Sequence, residues 1–285
     1  MAGWREKSPL CSLADWFPNY VAAELEEARS LRHQSRETSW TDRMLLELRK
    51  LRDPRIIVQN SNERLTGADM DWHFVSANGR RHLHLAVQAK ILHYTMVRAP
   101  LRYGDLAYPN RTGRQSRQLT NYARRQGRKG LNTYPLYLFY NPASVSNWAT
   151  FCSPGISLAN AYRIRHHLDT MQRRSTDSKV PLQATEFGVI EPLMFCLHRI
   201  FCEPSDFMPG PDDVAAALAE IDIQIGHISP GRQRPPIPEA GEKVPREILR
   251  IVDLMRDGMS HAAKFDSGDD GPRERPRVIF IGGDS

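Results

Sequence analysis

Cysteine is scarce: four in 285 residues, with no Cys-x-x-Cys pair and no histidine at zinc-module spacing. That scarcity excludes a disulfide-dense secreted scaffold. Cys11, Cys152, Cys196 and Cys202 read as reduced, mostly buried thiols of a cytoplasmic protein. No apolar run approaches the ~20 residues of a membrane span. The opening MAGWREKSPL lacks the apolar stretch of a signal peptide. Internal repeats, an RNA-recognition aromatic motif and a basic leucine zipper are all missing, so no sequence-reading device for nucleic acid is visible. Acid is locally absent too. No Asp or Glu occurs between Asp105 and Asp169, an interval holding nine Lys or Arg.

Seven of those nine fall within one stretch: Arg111, Arg114, Arg117, Arg124, Arg125, Arg128 and Lys129. The whole chain carries a formal charge of +6 and a pI near 9.2, which understate this asymmetry. A basic run is often no more than a solvated helix face. It also suits a phosphate backbone, where each neutralised phosphate releases counterions. Apolar residues make up 40% and charged residues 25%, which fits a soluble globular chain long enough to bury a full core.

The richest segment is 67–90, GADMDWHFVSANGRRHLHLAVQAK. Asn78-Gly79 signals a two-residue type I′ hairpin turn, which needs positive φ at both central residues. Pairing across that turn sets Asp69 opposite Gln88 and Asp71 opposite Ala86. Alternation sends Met70, Trp72 and Phe74 to one face with Leu83, Leu85, Val87 and Ala89. Asp69, Asp71 and His73 go to the other with His84, Gln88 and Lys90. His73, His82 and His84 have no recognisable zinc spacing. Two carboxylates with a glutamine carbonyl suit a hard cation such as Mg²⁺ (or Mn²⁺). A lysine within side-chain reach offsets charge on a phosphate or orients a water.

Elements follow from periodicity on either side. Helices are expected over 19–33, 39–51 (opened by a Ser39-x-x-Asp42 capping box, with Glu37 just before it or in its first turn) and 115–126. Strands are expected at 56–58 and 134–141. Beyond 145 the reading places a helix over 158–171, a short strand at 187–190, an apolar helix or strand at 192–201 and a helix from Pro211. Residues 229–245 look like a linker. A short amphipathic helix over 245–256 and a short apolar strand or docking segment at 277–281 follow.

Asp69 with Gln88-Ala89-Lys90 at the end of the next strand resembles the PD-(D/E)xK nuclease superfamily in its Q-x-K variant. Gln118-x-x-x-Tyr122 resembles the Q-x-x-x-Y element of RecB-type nucleases. More narrowly, Glu37, Thr66 to Asp69, Gln88 to Lys90 and Pro135 to Asn141 resemble the layout of an uncharacterised bacterial group. The resemblance covers about 35–145. It implies an α/β fold: a restriction-endonuclease-like mixed sheet (α-β-β-β-α-β) flanked by helices, with a helical C-terminal extension. With the flanking elements read from periodicity and composition, the chain divides into an N-terminal helical extension (1–34), a nuclease-like domain with its C-terminal buttress (35–228) and a linker and tail (229–285). It implies a Mg²⁺- or Mn²⁺-dependent nuclease acting on DNA, with RNA as the other substrate class and bacterial defence as the setting. Asp69, Asp71, Glu37 and Gln88 would hold the metal, with Lys90 catalytic and Gln118 and Tyr122 in support. Gln88 stands where an acid is usual. That departure fits a second reading, an inactive nuclease fold that binds nucleic acid or serves in assembly.

Overall fold

The computed structural model describes residues 8–61, 68–93, 101–107, 109–110, 113–147, 154–176, 179–202, 208–228, 235–257 and 275–282. Arg111, Cys152 and the Thr66-Gly67 half of the Thr-Gly-Ala-Asp element lie outside them.

Seven strands form one mixed sheet: β1 (Ile56–Ser61), β2 (Met70–Ser76), β3 (His82–Ile91), β4 (Thr133–Asn141), β5 (Gly155–Asn160), β6 (Met194–Cys196) and β7 (Arg275–Gly282). Their spatial order is β1-β7-β2-β3-β4-β5-β6. The longer helices are α1 (Pro9–Ser30), α2 (Glu37–Lys50), α3 (Gln115–Arg128), α4 (Ala161–Arg174), α5 (Pro211–Ile228) and α6 (Arg246–Arg256). The fold is α/β, a mixed sheet flanked by helices, as the sequence implies.

The hairpin pairs in the expected register, Met70 with Val87 and Asp71 with Ala86. Its turn differs from the type I′ expectation. Gly79 adopts φ +69°, but Asn78 is not among the left-handed residues. Ladder bonding ends at Ser76, whose N–H donates to the Arg81 carbonyl, and the Gly79 N–H donates to the Ser76 carbonyl at 2.8 Å. The connection is therefore four residues long. The Asn78 Oδ1 accepts from the Arg80 N–H and the Ser76 hydroxyl, each at 2.8 Å. A polar side chain thus does locally what a second left-handed residue would do. Register is unchanged because both strands lengthen the turn equally.

β4 runs parallel to β3, with Gln88 beside Tyr137 and Lys90 beside Phe139, and α3 makes the crossover between them. The sheet's apolar face, including Trp72, Phe74, Leu85 and Val87, joins the core with α1 (Leu13, Phe17, Val21) and α5 (Val214, Leu218). Gly155, at φ +93°, lets α1 lie against β5: a Cβ there would fall 1.7 Å from the Pro18 carbonyl oxygen.

Several expectations are corrected. α1 begins at Pro9 and is part of the core rather than an extension. Residues 155–160 are strand, and the helix expected over 158–171 starts only at Ala161, where Asn160 caps it by accepting from the Tyr162 N–H. Residues 187–190 are a helical turn, not a strand. The region 229–285 is no detached linker and tail. Its last strand, β7, lies inside the sheet, antiparallel to β1 and parallel to β2. α6 covers that end of the sheet through Ile248, Ile251 and Val252 against Val75, Ile279 and Ile281.

The reduced-thiol reading also changes, since Cys11 of α1 is disulfide-bonded to Cys202. Cys196 is half-buried at the end of β6. Among the described residues no helix is long and apolar enough to cross a membrane.

Candidate active site

Lys90 is the penultimate residue of β3, 3% exposed, on a strand whose every residue is buried. A buried ammonium needs a partner, and α2 supplies one. α2 starts at Glu37, so the acid sits in the first turn, where the helix dipole favours it. The Ser39–Asp42 capping box is not used; Arg36 is the N-cap residue and makes no side-chain cap bond. The Lys90 Nζ donates to Glu37 Oε2 at 3.0 Å and to Oε1 at 3.4 Å.

Asp69 lies at a bend one residue before β2. Its N–H donates to the Val87 carbonyl, and its Oδ2 accepts from the Ala89 N–H at 2.8 Å. The carboxylate thus stands where a strand carbonyl would continue the ladder. It is fixed opposite Gln88, as the register implies. Gln88 is 3% exposed, and its Oε1 is a buried acceptor with no hydrogen-bond partner among the described residues. An orphaned buried acceptor carries a cost of about 1–3 kcal/mol. A cation at this point would remove that cost.

The electrostatics fit the same point. The Glu37 carboxyl is pushed up to about 7, first by burial; Lys90 opposes the shift, and Asp69 and Asp105 add to it. Burial also raises the Tyr137 phenol, and Asp69 adds to the effect. An acid that holds its proton more tightly when folded loses stability as pH rises from 4.5 to about 7. Glu37→Gln should therefore match wild type near pH 4.5 and be the more stable protein at pH 8, by at most about 3 kcal/mol. Urea unfolding at both values checks this, and equal stabilities at pH 8 would contradict it.

Asp71 goes elsewhere. It is 1% exposed, and its Oδ1 meets His84 Nε2 at 2.7 Å. His84 in turn meets Thr133 Oγ1 at 3.1 Å through Nδ1 and packs edge-on against Tyr122. His73 and His84 stack at 4.4 Å between ring centroids, and His73 Nδ1 lies 2.9 Å from His82 Nε2. The polar face is therefore buried under α3 and α6, not solvated, and burial pushes the His82 imidazole down to about 3. Asp71 serves the histidine stack rather than Lys90. Asp71→Ala should cost about 1–3 kcal/mol in unfolding free energy, the cost of leaving the His84 nitrogen without that partner. Mn²⁺ affinity should stay within a few fold of wild type. A lost metal site with unchanged stability would reverse the assignment.

Tyr122 is buried and Gln118 half-buried, one turn apart on α3. The basic run divides. Arg114 is 8% exposed and tied to Asp169 at 2.8 Å and Gln172 at 2.5 Å. Asp169 also holds Arg117 at 3.0 Å. These arginines clamp α3 to α4, so Arg114 is not available to phosphate. Arg124, Arg125, Arg128 and Lys129 are exposed, with Arg124 over the Tyr162 ring. They occupy the C-terminal end of α3, from about 9 Å (Arg124) to about 16 Å (Lys129) along the axis from Gln118.

Two candidate residues escaped the sequence reading. His93 and Asp105 bring ligand atoms within 4.8 Å of each other and of Glu37, and His93 Nε2 lies 3.8 Å from Asp105 Oδ2. His93 follows Lys90 by three residues and could have been flagged. Asp105 follows a segment held by backbone bridges of Arg102 with both His93 and Glu186, which no local pattern foretells.

Residues 10–281 match the family described as "Family of unknown function (DUF6615)", and the chain belongs to it. No curated protein and no solved structure matches the chain.

Proposed function

We propose that this member of a family of unknown function is a metal-dependent nuclease whose active site is Glu37, Asp69, Gln88 and Lys90. The observation that carries the reading is the orphaned, buried Gln88 Oε1 on the strand that also carries Lys90, paired with Glu37, and whose Ala89 N–H holds the Asp69 carboxylate. Three oxygen donors and no sulfur suit Mg²⁺ or Mn²⁺. The bound ion would supply Lewis-acid polarisation of the phosphate and a lower pKa for a coordinated water.

The protein's own part is positional. The Ala89 N–H fixes Asp69, and the rigid strand fixes Gln88 and Lys90. Lys90 orients the attacking water or offsets charge on the phosphate, and Glu37 holds the ammonium in place. Saturating Mg²⁺ should reverse the Glu37→Gln stability ranking at pH 8, since a ligand bound only by the native wild type adds RT ln(1 + [L]/Kd).

DNA is the proposed substrate, with RNA the competing class. The exposed Arg125, Arg128 and Lys129 would follow the backbone away from the site. Replacing all three by Ala should lower the salt dependence of DNA binding by roughly one unit of slope per lost phosphate contact. Cleavage of duplex DNA, single-stranded DNA and RNA in parallel, wild type beside Asp69→Asn, decides the substrate. The inactive-fold reading draws on the neutral Gln88; DNA binding without cutting under any metal would favour it.

A further inference from the structure

The disulfide does not stand alone. Cys11 and Asp15 are four residues apart on α1, so they share one face of that helix. His198 and Cys202 are likewise four apart, at the start and just past the end of the helical turn His198–Phe201. The ligand atoms of all four lie within 4.8 Å of one another. His198 Nε2 is 3.4 Å from Asp15 Oδ1. That is the separation of two ligands on one tetrahedral ion, about 3.3 Å for bonds of ~2.0–2.1 Å. Two sulfurs, one imidazole and one carboxylate form a donor set of the kind Zn²⁺ takes in closed four-coordinate sites. The hard cation of the Lys90 site would discriminate against sulfur.

We propose that Cys11, Asp15, His198 and Cys202 are a structural Zn²⁺ site in the reduced chain, exclusive of the disulfide. In the oxidised chain both sulfurs are spent on each other, and the His198–Asp15 pair remains beside them. Exchange with a dithiol breaks the Cys11–Cys202 bond and forms one in the dithiol, delivering two electrons and two protons to the two sulfurs. Zn²⁺ then displaces the two thiol protons, and the sulfurs part to about 3.7 Å, the spacing set by Zn–S bonds of ~2.3 Å. Either form ties α1 to the segment that follows β6, across a sequence separation of 191 residues. The tie survives a change of redox compartment, where a disulfide by itself would not. His198 is 47% exposed and Asp15 34% at their side chains, so an ion reaches the site from solvent.

The test uses the full chain with Co²⁺ as the probe. After reduction by a phosphine, one equivalent of Co²⁺ should bind with sulfur-to-cobalt charge transfer and intense tetrahedral ligand-field bands, and Zn²⁺ should displace it. The oxidised chain should show neither band. The Glu37→Gln/Asp69→Asn double variant should titrate as wild type does, which separates this site from the Lys90 site. His198→Ala changes an exposed side chain and Asp15→Asn a half-exposed one, and both should leave the fold intact by circular dichroism. Each should weaken Co²⁺ by at least tenfold, the lower end of what losing even an outer-shell partner costs. Reduced wild type without sulfur-to-cobalt charge transfer would overturn the proposal. So would charge transfer that neither His198→Ala nor Asp15→Asn alters.

Discussion

Lys90→Met should lower metal-dependent DNA cleavage by at least 10²–10³-fold, the usual cost of one charge-stabilising group in a water-poor site. Methionine keeps the length and apolar stem of lysine, so the strand packs as before and only the ammonium goes. Without it, the Glu37 carboxyl loses the interaction that opposes its burial and rises further. Mn²⁺ affinity should therefore be compared at pH 8.5 or above. There it should stay within about tenfold of wild type, while Asp69→Asn loses both affinity and cleavage. Lys90 then acts on the reaction and Asp69 on the ion. A Lys90→Met protein that cuts at the wild-type rate would place the chemistry elsewhere.

Removing residues 275–285 should abolish the cooperative fold. β7 is an interior strand, bonded to β1 on one side and β2 on the other. Val278, Ile279 and Phe280 are fully buried. Phe280 stacks on Phe74 at 4.7 Å and packs against Phe201 at 5.4 Å. Without β7, two strand edges are bared and both cores open. Even Phe280→Ala should cost about 3–5 kcal/mol in denaturant unfolding. A truncated chain that melts cooperatively near the wild-type temperature would show the last strand to be an accessory.

What the sequence made legible was local. The hairpin register could be read because alternation and turn lie within some twenty residues, and both strands vote for the same pairing. The α/β class and the helices read at 39–51 and 115–126, observed at Glu37–Lys50 and Gln115–Arg128, followed from periodicity in the same way. β7 was visible as an apolar run but not placeable, because nothing near Phe280 names Ile56 as its partner. The turn type failed because Asn78 satisfies the loop with its side chain. At the site, Asp69, Gln88 and Lys90 come from one hairpin and their proximity was legible. Asp71 shares their face and composition, and only the position of His84 separates its role. His93, three residues after Lys90, was within reach of the same reading, whereas Asp105 and the Cys11–Cys202 pair depend on distant chain returns, which carry no local signature.

The most direct measurement is single-turnover cleavage of a labelled DNA duplex by excess full-length protein, with Mg²⁺, with Mn²⁺ and with EDTA. Products that appear with either ion and vanish with EDTA are the predicted result. A well-folded protein that binds the duplex and leaves it intact with both ions would contradict the nuclease account.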